Sequence, residues 1–130
     1  MEEFYIFLIK KKKIKYTGLE IRPHAYRIAI NHFKKDKNVK IINKDFFKFP
    51  LKQLKYDCYF INDPLKKTSD HDNLVKRIIQ ANKHKKQAYY FILVNVGRNK
   101  LKIFNKFELI KSFRIKDRGF YIYSSNKLTN

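Results

Sequence analysis

The chain has no tryptophan, one cysteine, and three each of glycine and proline in 130 residues. A single thiol, Cys58, rules out a disulfide framework within the chain and points to a reduced interior. Lying in the apolar run Tyr56 to Ile61, it reads as a small buried hydrophobe rather than a nucleophile. Glycine occurs only at 18, 97 and 119, so no glycine-rich loop is present to bring backbone N–H groups around a phosphate. His24, His32, His71 and His84 are scattered beside that lone cysteine, which leaves no metal-ligand cluster and no metal expectation. No apolar run reaches the ~18 residues of a membrane span, and Phe4 to Ile9 is too short and wrongly flanked for a signal peptide. A soluble chain with no membrane role is expected.

Acidic residues are scarce as well: eleven Asp and Glu face thirty-one Lys and Arg, a formal net charge of +20. So cationic a chain repels itself unless a polyanion neutralises it, and nucleic acid is the commonest polyanion for a basic soluble domain. A+T-rich coding supplies part of the bias, because Lys, Ile, Asn, Phe and Tyr crowd the chain while Gly, Pro and Trp are few. It does not by itself explain the basic excess. An apolar share of 44% is enough for a core, so the chain is not a disordered basic tail.

The periodicity predicts a mixed α/β chain. Phe4 to Ile9, Tyr16 to Ile21, Val39 to Ile42 and Asp57 to Ile61 read as short strands. Pro23 to Lys35 reads as an amphipathic helix, with Pro23 at its start and Ala25, Ile28, Ala29, His32 and Phe33 on one face. Phe46, Phe47 and Phe49 fall in a loop, and Asn62-Asp63-Pro64 is a turn. Thr68, Ser69 and Asp70 are cap-type residues before a second helix with Leu74, Val75, Ile78 and Ile79 inward, so Asp70-His71-Asp72 reads as capping and dipole chemistry rather than a catalytic cluster. Tyr89 to Val94 is a strand, Leu101 to Phe107 a short helix, and Leu109 to Ile115 and Gly119 to Tyr123 a hairpin. The second half is thus ordered α-β-α-β-β. A boundary between Pro64 and Asp70 gives a basic α/β extension over 1–68 and a domain over 69–130.

Two families are resembled. Thr17-Gly18-Leu19-Glu20-Ile21 looks like the second strand of class I S-adenosylmethionine-dependent methyltransferases, ending in the acid that holds the cofactor ribose. Val39 to Phe47 is similar to their third strand, with Asp45 near the adenine. Tyr56 to Leu65 resembles their fourth strand and the Asn-Pro-Pro-Tyr-type motif of amino-methylating members, with Asn62 at its head. Asp63 stands where that motif has its first proline, and Leu65 replaces its aromatic. The family's glycine loop has no counterpart in Phe4 to Lys15, which implies a degenerate, inactive relative with a Rossmann-like remnant, acting on or bound to RNA.

Residues 69 to about 124 resemble the N-terminal domain of bacterial-type small-subunit ribosomal protein eight, through Asn73 to Asn82, Tyr89 to Leu93, Leu109 to Ile115 and Phe120 to Tyr123. That resemblance implies a structural constituent of an organellar, mitochondrial ribosome, with the cytoplasm as second choice. Its partners would be ribosomal RNA and neighbouring ribosomal proteins, with no enzymatic role, no cofactor and no small-molecule substrate. Chemistry favours this second reading, since phosphate neutralisation needs only basic side chains and these abound. The expected RNA contacts are Lys10, Lys11, Lys12, Lys13, Lys34, Lys35, Lys66, Lys67, Arg77, Lys83, Lys85, Lys86, Arg98 and Lys100.

Overall fold

The computed structural model describes residues 16–20, 22–62, 67–116 and 118–129. The expected strand Phe4 to Ile9 therefore lies outside the described residues. The chain divides into two compact units, 1–49 and 50–130, ahead of the division expected between Pro64 and Asp70.

In the first unit, strand β1 (Tyr16–Leu19) pairs in parallel with β2 (Val39–Ile42), Tyr16 opposite Val39 and Leu19 opposite Ile42. Parallel neighbours need a crossover, and helix α1 (Pro23–Phe33) supplies it. Arg22 is extended and Pro23 takes the first helical position, where a missing N–H costs nothing. Of the face expected to be inward, Ala25, Ala29 and Phe33 are half-buried, but Ile28 is 56% exposed. Asp36 accepts from the Asn38 N–H at 2.9 Å and turns the chain into β2. Beyond it, Phe46–Lys48 form a 3-10 turn that Asp45 caps through the Phe47 N–H, and Phe49 is buried.

The second unit is a four-stranded sheet in the order β3-β4-β6-β5, comprising β3 (Cys58–Asn62), β4 (Tyr90–Gly97), β5 (Glu108–Ile115) and β6 (Arg118–Ser124). β3 runs parallel to β4 from Cys58 opposite Tyr90 to Asn62 opposite Val94, which is why residues 58–62 belong here. Helix α2 (Thr68–Ala81) is the crossover, burying His71, Leu74, Val75 and Ile78. Thr68, Ser69 and Asp70 do not cap it: Lys67 holds the cap position without a side-chain bond, and the Thr68 hydroxyl instead accepts from Asn99 Nδ2 at 2.8 Å. The expected second helix of this half is only a pair of 3-10 turns, Arg98–Lys100 and Lys102–Phe104, too short to bury a helical stripe but enough to insert Phe104. Cys58 is exposed, not buried, because it opens an edge strand. Among the described residues no helix is long and apolar enough to cross a membrane.

The core is aromatic. Phe91 and Phe104 are essentially inaccessible, with Tyr59, Tyr89, Phe107, Tyr121 and Tyr123 buried around them. The Tyr59 hydroxyl donates to the Leu54 carbonyl and accepts from the Tyr56 N–H at 2.8 Å and from Asn82 Nδ2 at 2.7 Å, joining β3 to the end of α2. Ionising a buried phenol is costly, and burial pushes the Tyr89 hydroxyl up to about 12.

Gly119 lies under the Tyr121 ring, where a Cβ would sit 2.6 Å from Cε2. With that ring only 5% exposed it has little room to yield. Gly119→Ala is expected to lower stability by about 1–3 kcal/mol, read as a lower urea midpoint with an unchanged slope.

Candidate functional site

Parallel strands present their carboxyl ends as ligand-binding edges, since loops there are free to differ while the sheet stays fixed. In the first unit that edge carries acids. Glu20 follows β1 directly and its carbonyl accepts from Asn43 Nδ2 at 2.8 Å, which holds the ends of β1 and β2 together. Its carboxylate faces Arg22: Oε1 accepts from the Arg22 N–H at 2.9 Å and from Nε at 2.8 Å, and Oε2 from Nη2 at 3.2 Å. The Arg22 hydrogen bonds hold Glu20 below the ordinary carboxylate range, more than burial raises it. Asp45 spends one oxygen on the Phe47 N–H at 3.0 Å. A cavity of about 190 Å3 lies at this edge, its lining including Glu20 beside Gly18, Leu19, Ala25, Ala29 and Phe33. That is smaller than the ~300–1,000 Å3 of ordinary ligand sites, and its walls are mostly apolar.

In the second unit the corresponding edge carries amides. Asn62 ends β3, and its Oδ1 accepts from Asn95 Nδ2 at 3.2 Å. Asn95 is a β-bulge residue with φ of 59°, and its carbonyl accepts from Arg118 Nη1 at 2.9 Å. Asn99 reaches Thr68 across the same end.

The basic residues divide by burial. Lys34, Lys35, Lys67, Lys83, Lys86 and Arg98 are exposed and available to phosphate. Lys85 is not: its ammonium donates to the Tyr56 carbonyl and to Asp57 Oδ1, both at 2.6 Å, and so fixes the entry to β3. Lys100 is buried at 5% exposure and Arg77 is half-buried on α2. Lys10, Lys11, Lys12, Lys13 and Lys66 lie outside the described residues. The sequence reading missed Arg22, Asn95 and Asn99. Asn95 had a signal, since a lone Asn inside a β-type run marks a bulge or a left-handed residue.

No protein-family model matches the sequence, and no curated protein does. Solved structures do. A Haemophilus influenzae protein named "putative methylase HI0767" aligns with 95% of this chain and 80% of its own, at 17% identity and a TM-score of 0.62. The Escherichia coli "putative methyltransferase yhhF" aligns with 95% of this chain and 82% of its own, at 9% identity and 0.59. The N-methyltransferase NodS from Bradyrhizobium japonicum aligns with 83% of this chain and 70% of its own, at 8% identity and 0.57. The fold is methyltransferase-like.

These matches overturn the ribosomal reading. They run through the first half that it left as an unrelated extension, and the element order after residue 68 that supported it contains no second helix. The structural, rRNA-binding role, the organellar ribosome as its place and the expectation of a non-enzyme fall with that reading. What the resemblance to methyltransferases implied for the fold stands.

Arg22→Ala is expected to raise the Glu20 titration toward its ordinary value, followed by carbon-13 NMR. A depressed carboxylate stabilises the folded state above the ordinary carboxylate range, and that contribution is lost as pH falls through the lowered value. Any stability gap between wild type and variant should therefore shrink below about pH 4.

Proposed function

We propose that the chain is a methyltransferase-type protein that acts on RNA, taking an adenosine-bearing cofactor at the carboxyl edge of β1 and β2. The observation that carries this reading is the chemistry at the carboxyl edge of the first unit: Glu20 directly after β1 and Asp45 shortly after β2. A carboxylate accepts hydrogen bonds only, so Glu20 suits the two hydroxyls of a ribose, and Asp45 keeps an oxygen for an adenine amino group. S-adenosylmethionine, when bound, supplies an electrophilic methyl group. Against that fit, Arg22 already fills three acceptor positions on Glu20. Its side chain is 75% exposed, so it can swing into water and release the carboxylate. The cofactor is therefore held with a competitor present, and weaker binding than a free Glu20 would give follows.

RNA as the substrate class is supported by the net charge of +20 and by the exposed Lys34, Lys35, Lys83 and Lys86. Exposed cations are worth little individually, but each phosphate they meet releases a counterion.

Calorimetric titration with S-adenosylhomocysteine is expected to give saturable one-to-one binding that Glu20→Ala weakens about 10-fold or more, the worth of hydrogen bonds to a charged group. Absence of heat at millimolar ligand would remove the cofactor from this reading. In a separate titration, affinity for single-stranded RNA should fall with salt by a logarithmic slope of about −0.7 per phosphate contacted. The double variant Lys83→Ala, Lys86→Ala should flatten that slope.

A further inference from the structure

Strand β5 is an outer strand of its sheet: β6 pairs with one side of it, and no described strand pairs with the other. In an antiparallel pair alternate residues turn their N–H and C=O groups away from the partner, so the outer side carries a row of main-chain donors and acceptors. Folded chains usually blunt such a row by short length, a bulge or charge. β5 is eight residues long, and its bulge lies near one end, between Leu109 and Lys111. From Lys111 to Ile115 it pairs with β6 without a break.

Its side chains are apolar where an edge should be polar. Leu109, Ile110, Phe113 and Ile115 are 49%, 51%, 61% and 64% exposed. Phe113 lies opposite Phe120, which lies opposite Val94, on the face of the sheet away from the buried Tyr121 and Tyr123. Phe120 and Val94 are half-buried, so an apolar row crosses the sheet and ends at the edge with its last ring in water. Leu109, opposite Tyr123, is exposed on the other face, which puts apolar surface on both sides of the edge.

Backbone, apolar side chains and charge together select what covers this edge. A bilayer accepts the side chains but offers no partner to an open main-chain row. A nucleic acid strand stacks on Phe113, yet Leu109, Ile110 and Ile115 have no ring for a base to stack on. A second copy supplies a strand but brings the same cations, Lys111, Arg114, Lys116 and Arg118 against Glu108 and Asp117, on a chain of net charge +20. Like charges on facing strands destabilise the pair. An extended acidic segment of another protein suits all three features.

We propose that the outer edge of β5 docks such a segment, which adds to the sheet beside β5 with apolar side chains against Phe113 and Ile115 and carboxylates against the exposed Lys111 and Lys116. Main-chain hydrogen bonds supply the affinity and the side chains the selectivity. The partner strand needs neither the cofactor nor the RNA proposed above.

The test uses the full chain and a short fluorescein-labelled peptide in which glutamate alternates with valine and phenylalanine, followed by fluorescence anisotropy. Saturable binding is expected, and the peptide with lysine in place of glutamate should not bind. Two further peptides carry N-methyl groups on the odd or on the even residues, which keeps charge and side chains while removing the N–H groups of one edge. One phase should abolish binding and the other leave it intact, because an added strand bonds through a single edge. The double variant Phe113→Thr, Ile115→Thr, with unchanged circular dichroism, should weaken the parent peptide about 2–30-fold, the worth of two cross-strand pairs. Equal binding by both N-methyl phases, or no binding at millimolar peptide, would overturn the proposal. A dimer at micromolar concentration that the double variant dissociates would overturn it too, giving the edge to a second copy. So would loss of affinity for single-stranded RNA or for phosphatidylserine vesicles in that variant, with the peptide unaffected.

Discussion

Phe91 has the rings of Tyr59, Tyr89, Phe104 and Phe107 between 5.1 and 6.0 Å from its own, most of them edge-on. These five residues come from β3, from β4 and the residue before it, and from the turns that lead to β5, and Phe104 stacks in turn on Tyr123 of β6 at 4.8 Å. Edge-to-face pairs add about 0.5–1.5 kcal/mol each beyond area burial, and emptying the centre by Phe91→Ala would cost about 3–5 kcal/mol. The 3-10 turns after β4 are ordered locally by short-range backbone hydrogen bonds, such as Leu101 N–H to the Arg98 carbonyl and Phe104 N–H to the Leu101 carbonyl. Phe104 and Phe107 anchor them in this cluster.

The same cluster explains why β4 needs its bulge. The strand must deliver Phe91 and Leu93 to the core and then bring Val96 to the same side. One extra residue changes the parity, and Asn tolerates the left-handed conformation that the extra residue adopts. The surface consequence is that the amides of Asn62 and Asn95 meet outside strands whose inward residues, Ile61, Phe91, Leu93 and Val96, are buried. Packing thus dictates where a polar pair is displayed.

Charge works differently. Lys85 and Lys100 were equal members of a basic set in the sequence, yet one is tied to the Tyr56 carbonyl and the other is buried. A lysine stem can pass through apolar surroundings while its ammonium finds a partner, so counting basic residues overstates what a polyanion can reach.

Local signals made most of the elements legible: Pro23 marked α1, the spacing of Leu74, Val75 and Ile78 marked α2, and the β-type runs marked every described strand. Glu20, Asp45 and Asn62 were singled out through the resemblance to methyltransferases; Glu20 directly follows β1, Asn62 is the last residue of β3, and Asp45 lies beyond the end of β2. Illegible were features set by distant partners, such as the pairing of β3 with β4 and the collapse of a supposed helix into turns. Without that pairing, α-β-α-β-β suited two families equally. Glycine scarcity had excluded a glycine-rich loop around a phosphate. Yet the left-handed residues among those described are Asn95 and Lys116, and no glycine there has positive φ. Glycine serves instead where a Cβ would collide, at 2.6 Å from Tyr121 for Gly119 and at 2.8 Å from Asn99 Oδ1 for Gly97. A low glycine count therefore limits close approach more than it limits conformation, and it leaves a left-handed position to asparagine.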